Sequence, residues 1–194
     1  MIFTRNYSAP EVSIKEVLRY AGGGNPAMVS ECIKEAEGLL SYNVCFAVLD
    51  ASVNGETVDL GFSSIKSKNL SKNLEGCTKA VVFAATVGVG IDRIIAKYNR
   101  ISPARAVCLQ ALGSERVEAL CDEFENDIKK ELGGEGVFFR PRFSPGYGDL
   151  PLEFQKDIFR LLECPRRIGI SLGESLLMTP SKSVTAIIGF GEKK

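Results

Sequence analysis

The sequence predicts an α+β fold, a mainly antiparallel sheet with flanking helices. Two β-rich segments, Tyr42 to Ala51 and Thr57 to Phe62, flank the hairpin signal Asn54-Gly55. A third, Ser183 to Phe190 (SVTAIIGF), closes the chain as a strand. Between them, strands and helices do not alternate regularly enough for a doubly wound sheet.

Taken in order, Val12 to Tyr20 reads as a short helix stopped by Gly22, Gly23 and Gly24. Pro26 to Leu40 reads as a second, with Asn25 as its cap and Pro26 at the first helical position. Ser63 to Lys79, rich in lysine, serine and asparagine, reads as a solvated loop or short helix. Ala80 to Thr86 (AVVFAAT) is a buried strand that runs through Val87-Gly88-Val89-Gly90 into a helix, Ile91 to Tyr98. Strand, glycine turn and helix together suggest a phosphate site, but the dinucleotide fingerprint is incomplete. Position 93 is Arg where the third glycine belongs, and Gln110 stands near where an acidic residue is required. The plainer reading is a tight turn setting the helix against the sheet.

Ser102-Pro103 opens the longest helix, which Gly133-Gly134 ends. Val107, Ala111, Val117, Cys121, Phe124 and Ile128 fall on one stripe, a core face. Glu118 lies on the flank of that stripe, where a carboxylate is either half buried or simply solvated. From Gly136 to Gln155 the chain packs prolines, glycines, arginines and aromatics into a loop, and loops this costly to order usually carry function. Pro151 to Leu162 returns to helix, Ile168 to Leu172 reads as a strand, and Glu174 to Pro180 as a turn-rich link. The whole is expected to be a single domain.

Composition narrows the chemistry. The 194 residues include no histidine, which removes the usual general base near neutral pH, the commonest metal ligand and every Ser-His or Cys-His nucleophile. Lys plus Arg and Asp plus Glu balance at 24 each, so no net field draws nucleic acid or an anionic membrane. The six cysteines contain no CxxC pair and mostly lie in apolar segments, as reduced core thiols of a cytoplasmic protein would. The first residues lack the apolar run of a signal peptide, and no stretch approaches a membrane span. No metal site is expected. The strongest candidate site is Arg142-Phe143-Ser144-Pro145-Gly146-Tyr147. Arg142 offers a planar fork to an anion, Pro145-Gly146 sets a turn whose backbone can approach a ligand, and Tyr147 adds a face and a hydroxyl. The alternative is a structural loop whose Arg pairs with a neighbouring carboxylate.

An Arg-x-x-x-Gly-Tyr loop from Arg142 to Tyr147 precedes Leu161-Leu162, then Glu174-Ser175, Met178, Pro180 and Ser183-Val184. Upstream, Ala111-Leu112 and Glu118-Ala119 keep the same spacing. This ordered combination, from about Lys79 to Phe190, resembles the activation, or S-adenosylmethionine-binding, domain of cobalamin-dependent methionine synthase; the N-terminal helices and hairpin of 1–78 match it poorly. The resemblance implies a domain that binds S-adenosylmethionine as methyl donor for reductive methylation of cob(II)alamin, with an electron from a flavodoxin-like reductant. It implies Arg142 at the ligand carboxylate, the backbone around Ser144 and Gly146 at the adenosyl part, Glu118 at the ammonium end, and Tyr147 as the catalytic side chain near cobalt.

The same resemblance implies that cobalamin is bound by a partner, since cobalamin modules of this system hold cobalt with a histidine. Homocysteine-zinc, folate and cobalamin modules are not found in the sequence, so a stand-alone reactivation subunit of a methionine synthase is expected, inactive without its corrinoid partner. The sequence departs from the family at Gly148-Asp149-Leu150-Pro151, where Pro-x-Cys-Pro is usual, and at Ser114, where an acidic residue is usual. These departures keep a second reading open: a non-catalytic docking or activating subunit of another corrinoid methyltransferase. A third is an unrelated nucleotide-binding enzyme built on the Gly88/Gly90 turn.

Overall fold

In the computed structural model, which describes residues 1–193, the chain runs through β1 (Ile2–Tyr7), α1 (Ile14–Tyr20), α2 (Pro26–Ala36), β2 (Tyr42–Asp50), β3 (Ser52–Asn54), β4 (Thr57–Asp59) and β5 (Ser64–Lys66). It continues with α3 (Lys68–Asn73), β6 (Lys79–Thr86), α4 (Gly90–Ile101), α5 (Pro103–Leu132) and β7 (Val137–Phe139). A 3₁₀ turn (Leu152–Phe154) leads into α6 (Gln155–Leu162), followed by α7 (Cys164–Ile168), β8 (Ser171–Leu172), β9 (Met178–Thr179) and β10 (Ser183–Glu192). Helix starts follow local chemistry: Asn25 caps α2 through its side chain on the Ala27 amide, with Pro26 in the first turn.

The main sheet has the order β1-β2-β6-β10-β7, with every pairing antiparallel. The fold is therefore α+β, as its sequence predicts. β6, at the centre, is buried along nearly its whole length, and its side chains alternate between two cores. Val81, Phe83 and Ala85 join Val44, Phe46, Ala186 and Ile188 beneath α1, α2, α4 and α5. Ala80, Val82 and Ala84 join Cys45, Ala47 and Ile187 beneath α3, α6, α7 and the small β3-β4-β5 sheet. The sheet is thus the middle of three layers, and the period of two along each strand builds it. All six thiols are buried and free.

Several expectations need correction. β1 is not legible in the sequence: IFTRNY is an edge strand with no fully buried side chain, so its pattern carries little apolar signal. Asn54-Gly55 does turn a hairpin, but between β3 and β4 of the small sheet rather than from the long strand β2. Ile168 to Leu172 is mostly not strand; α7 ends at Ile168 and β8 keeps two residues. Within the irregular loop, Val137–Phe139 pairs with the end of β10. Val107, placed on the core stripe of α5, is 53% exposed. It lies roughly 160° around the helix from the fully buried Leu109 at 100° per residue, on the outward side of a helix packed by α1, α2 and α4.

The glycine turn after β6 is structural. A Cβ on Gly88 would lie 2.4 Å from Ser41 Oγ, and one on Gly90 would lie 1.9 Å from the Leu39 carbonyl oxygen. Both glycines let the turn pack against the approach to β2, which explains them without a phosphate.

Candidate functional site

β7 pairs only with the C-terminal residues of β10, from Phe190 to Glu192. The chain then follows β10 through Arg140 N–H to the Gly189 carbonyl (2.8 Å) and a reciprocal pair between Phe143 and Ile187 (2.8 and 2.9 Å). Beyond Phe143 it turns away, leaving the edge of β10 at Ser183 to Thr185 uncovered. The resulting cleft holds about 380 Å³. Its walls are Glu118 of α5, the loop from Arg142 to Tyr147, Gln155 at the start of α6, Met178 of β9, and Ser183 to Thr185. Glu118, Arg142, Ser144 and Tyr147, chosen from sequence, therefore share one cavity. Gly146 sits in the turn beneath it with φ of 88°, where a Cβ would press on Leu152 at 3.2 Å.

Tethers outside the cleft order the loop. Asp149 accepts hydrogen bonds from Ser67 Oγ and from the amides of Lys68 (2.7 Å) and Asn69 (3.0 Å). These bonds, Ser67 foremost, hold the Asp149 carboxyl below its ordinary range. Gly148, at φ of 56°, brings its Cα so close to α3 that a Cβ would lie 2.2 Å from Asn69 Nδ2. Asn73 Nδ2 donates to the Pro141 carbonyl (3.2 Å), and Arg140 donates to the Glu75 carbonyl (2.7 Å). Gly148-Asp149 thus staples the turn carrying Tyr147 to α3. Tyr147 itself is 68% exposed at the rim.

Charge is concentrated on one wall. Arg142 Nη2 donates to Glu118 (2.7 Å), and Nη1 donates to Asp122 (2.6 Å) and Glu125 (3.0 Å). These carboxylates occupy successive turns of α5, and Lys129 pairs with Glu125 at 2.9 Å. Burial works against the guanidinium charge, but Asp122 and Glu118 outweigh it and hold the pKa of Arg142 above its ordinary value. Three carboxylates against Arg142 and Lys129 leave the cluster one negative charge in excess. Burial, then Glu118, pushes the Cys121 thiol up beneath it. The structural alternative for Arg142, pairing with neighbouring carboxylates, describes its geometry in the free chain.

One turn before Glu118, Ser114 Oγ accepts from Lys182 Nζ at 3.0 Å. The lysine stem crosses α5 at Gly113, whose Cβ would meet Lys182 Cγ at 2.8 Å. Burial holds the Lys182 ammonium below its ordinary value.

Comparison with known proteins bears on this arrangement. The family model of the vitamin B12 dependent methionine synthase activation domain matches residues 70–194. The chain belongs to this family. Among solved structures, it is similar to a MetH reactivation domain crystallised with AdoHcy, at 15% identity and a TM-score of 0.68, over 97% of this chain and 78% of that one. That likeness shows the fold. A search of curated proteins gives no match.

In this activation domain, the sequence pointed to the loop and to Glu118 but not to their supports. Asp122 and Glu125 follow Glu118 on the same face of α5 and are legible only once Arg142 is known to lie over them. Gln155 and Thr185 also went unmarked, because nothing in the sequence distinguishes a buried Gln or Thr from an exposed one. Among the described residues no group of three or more Cys, Asp or Glu is placed to hold a metal ion, and no helix is long and apolar enough to cross a membrane.

Proposed function

We propose that this chain binds S-adenosylmethionine in the β10-edge cleft and presents its methyl group to cobalamin held by a partner protein. The observation that carries the reading is the cleft itself: in a member of the activation-domain family, a charged wall at Arg142 and Glu118 and an exposed tyrosine at the mouth line one cavity. S-adenosylmethionine carries a carboxylate, an ammonium and a sulfonium, so it is a net cation, and the excess negative charge of the α5 cluster favours it.

Arg142 orients the ligand carboxylate. To reach it, that carboxylate displaces Asp122, whose side chain is 64% exposed and so is the acidic partner most easily returned to water. Glu118 then takes the ammonium, and the turn at Ser144 and Gly146 receives the adenosyl part. Tyr147, at the mouth, lies where the methyl group meets the partner. The partner's cobalamin, reduced by one electron from a flavodoxin-like donor, would supply the nucleophile that takes the methyl from the sulfonium, leaving neutral S-adenosylhomocysteine in the cleft. This chain contributes proximity and alignment rather than acid-base chemistry, a task that requires no histidine.

Calorimetric titration with S-adenosylmethionine tests the reading. Wild type should bind with measurable heat, and Arg142→Ala should bind about 2 kcal/mol or more weakly, as loss of a charge-assisted pair requires. Absence of binding by wild type refutes the proposal. The triple engagement of Arg142 favours a second reading, a docking or activating subunit of another corrinoid methyltransferase in which the cluster is structural. That reading requires partner capture to be independent of S-adenosylmethionine.

A further inference from the structure

Two side chains in the cleft are buried without a partner. Thr185 is 2% exposed and Gln155 6% exposed, and among the described residues neither Thr185 Oγ1 nor Gln155 Oε1 has a hydrogen-bond partner. Both line the same cavity as Arg142 and Glu118. Thr185 stands on the face of β10 whose neighbour Ile187 belongs to the apolar core beneath α6, a position where valine would pack as well. Gln155 opens α6 beside Phe154 and Ile158 of that core. An orphaned polar atom in such a place destabilises the free chain, and a ligand that satisfies it recovers the difference on binding.

The chemistry of the two groups defines their guest. A threonine hydroxyl and a glutamine carboxamide are neutral, and each both donates and accepts. Charge is handled by α5 on another wall, so the guest of this floor is an uncharged group that also donates and accepts. Adjacent hydroxyls meet that description, and S-adenosylmethionine carries such a pair on its ribose. We propose that Gln155 and Thr185 form a neutral polar floor that binds the ribose hydroxyls of the ligand and selects ribonucleoside over deoxyribonucleoside. The assignment of the ribose rests on the S-adenosylmethionine reading above.

Thr185→Val and Gln155→Met keep side-chain volume and remove hydrogen bonding. Calorimetry would compare both variants and wild type with S-adenosylmethionine, with S-adenosylhomocysteine and its 2′-deoxy and 3′-deoxy forms, and with adenosine and its 2′-deoxy and 3′-deoxy forms. Wild type should bind the ribo form about tenfold more tightly than a deoxy form, and each variant should lose about tenfold for the ribo form while its preference shrinks. Both variants should unfold at or above the wild-type temperature, which a merely structural role for either group would not allow. Equal affinities of wild type for ribo and deoxy forms, or unchanged affinity in both variants, overturns the floor. Wild type that takes adenosine with this preference but not S-adenosylmethionine overturns the methyl-donor reading alone; wild type that binds none of them overturns both.

Discussion

Replacing Arg142 with Gln tests whether the α5 cluster depends on one guanidinium. The substitution removes charge-assisted bonds of 2.6, 2.7 and 3.0 Å and leaves Glu118, Asp122 and Glu125 facing one another. Glu125, with its side chain 12% exposed, contributes most, about 1.5 kcal/mol; Glu118, at 41%, about 1; and Asp122, at 64%, a few tenths. Repulsion among the remaining carboxylates adds a similar small amount, so the expected loss is about 3 kcal/mol. For a chain of this size that lowers the melting temperature by about 6–12 °C. Thermal unfolding followed by circular dichroism at neutral pH measures it. In 1 M salt the gap to wild type should narrow, because the repulsion is screened. Adding Glu118→Gln to the variant should recover part of the loss. A melting temperature within about 1 °C of wild type at low salt, or a gap that salt leaves unchanged, refutes the reasoning.

Other consequences follow from the same contacts. Gly90→Ala should destabilise by about 3 kcal/mol in chemical denaturation, because its Cβ meets backbone rather than a movable side chain; a loss under 1 kcal/mol contradicts the packing account of the turn. Asp149→Asn should speed hydrogen exchange of the amides of Lys68 and Asn69. Since the folded Asp149 pKa is lowered, its contribution is present above the unfolded value of 3.8 and disappears as pH falls through the lower folded value, so wild type and variant should converge in acid. The Cys32 thiol is pushed up to about 12 by burial and by Cys108. A raised folded pKa contributes stability below the unfolded value of 9.0 that is lost as pH rises, so this contribution should decline above pH 9 while the buried Cys32 thiol stays unreactive to alkylation at pH 8.

The sequence made the sheet legible where strands are buried on both faces. Ala80 to Thr86 and Ser183 to Phe190 declare themselves because every position must be apolar or small. β1 does not, since an edge strand with solvent on one side needs little apolar pattern. The length of α5 was legible from Pro103 and Gly133, but its exposed side was not. A helix packed by several neighbours buries most of its circumference, and Val107 falls in the gap.

For the site, Arg142, Gly146 and Tyr147 were legible because proline, glycine, arginine and tyrosine crowd a costly loop. Their tethers were not: Asp149 acts on α3, some 80 residues earlier in the chain. The orphaned floor, Gln155 and Thr185, is a property of burial, which two ordinary polar residues do not advertise.

The most direct test of the account follows an isotopically labelled methyl group. S-adenosylmethionine labelled at its methyl is supplied, with a flavodoxin-like reductant, to a cobalamin-loaded methionine synthase that lacks an activation domain, with and without this chain. Label should reach cobalamin only when the chain is present and fall sharply with Arg142→Ala. Equal labelling with and without the chain would contradict its assignment as the holder of the methyl donor.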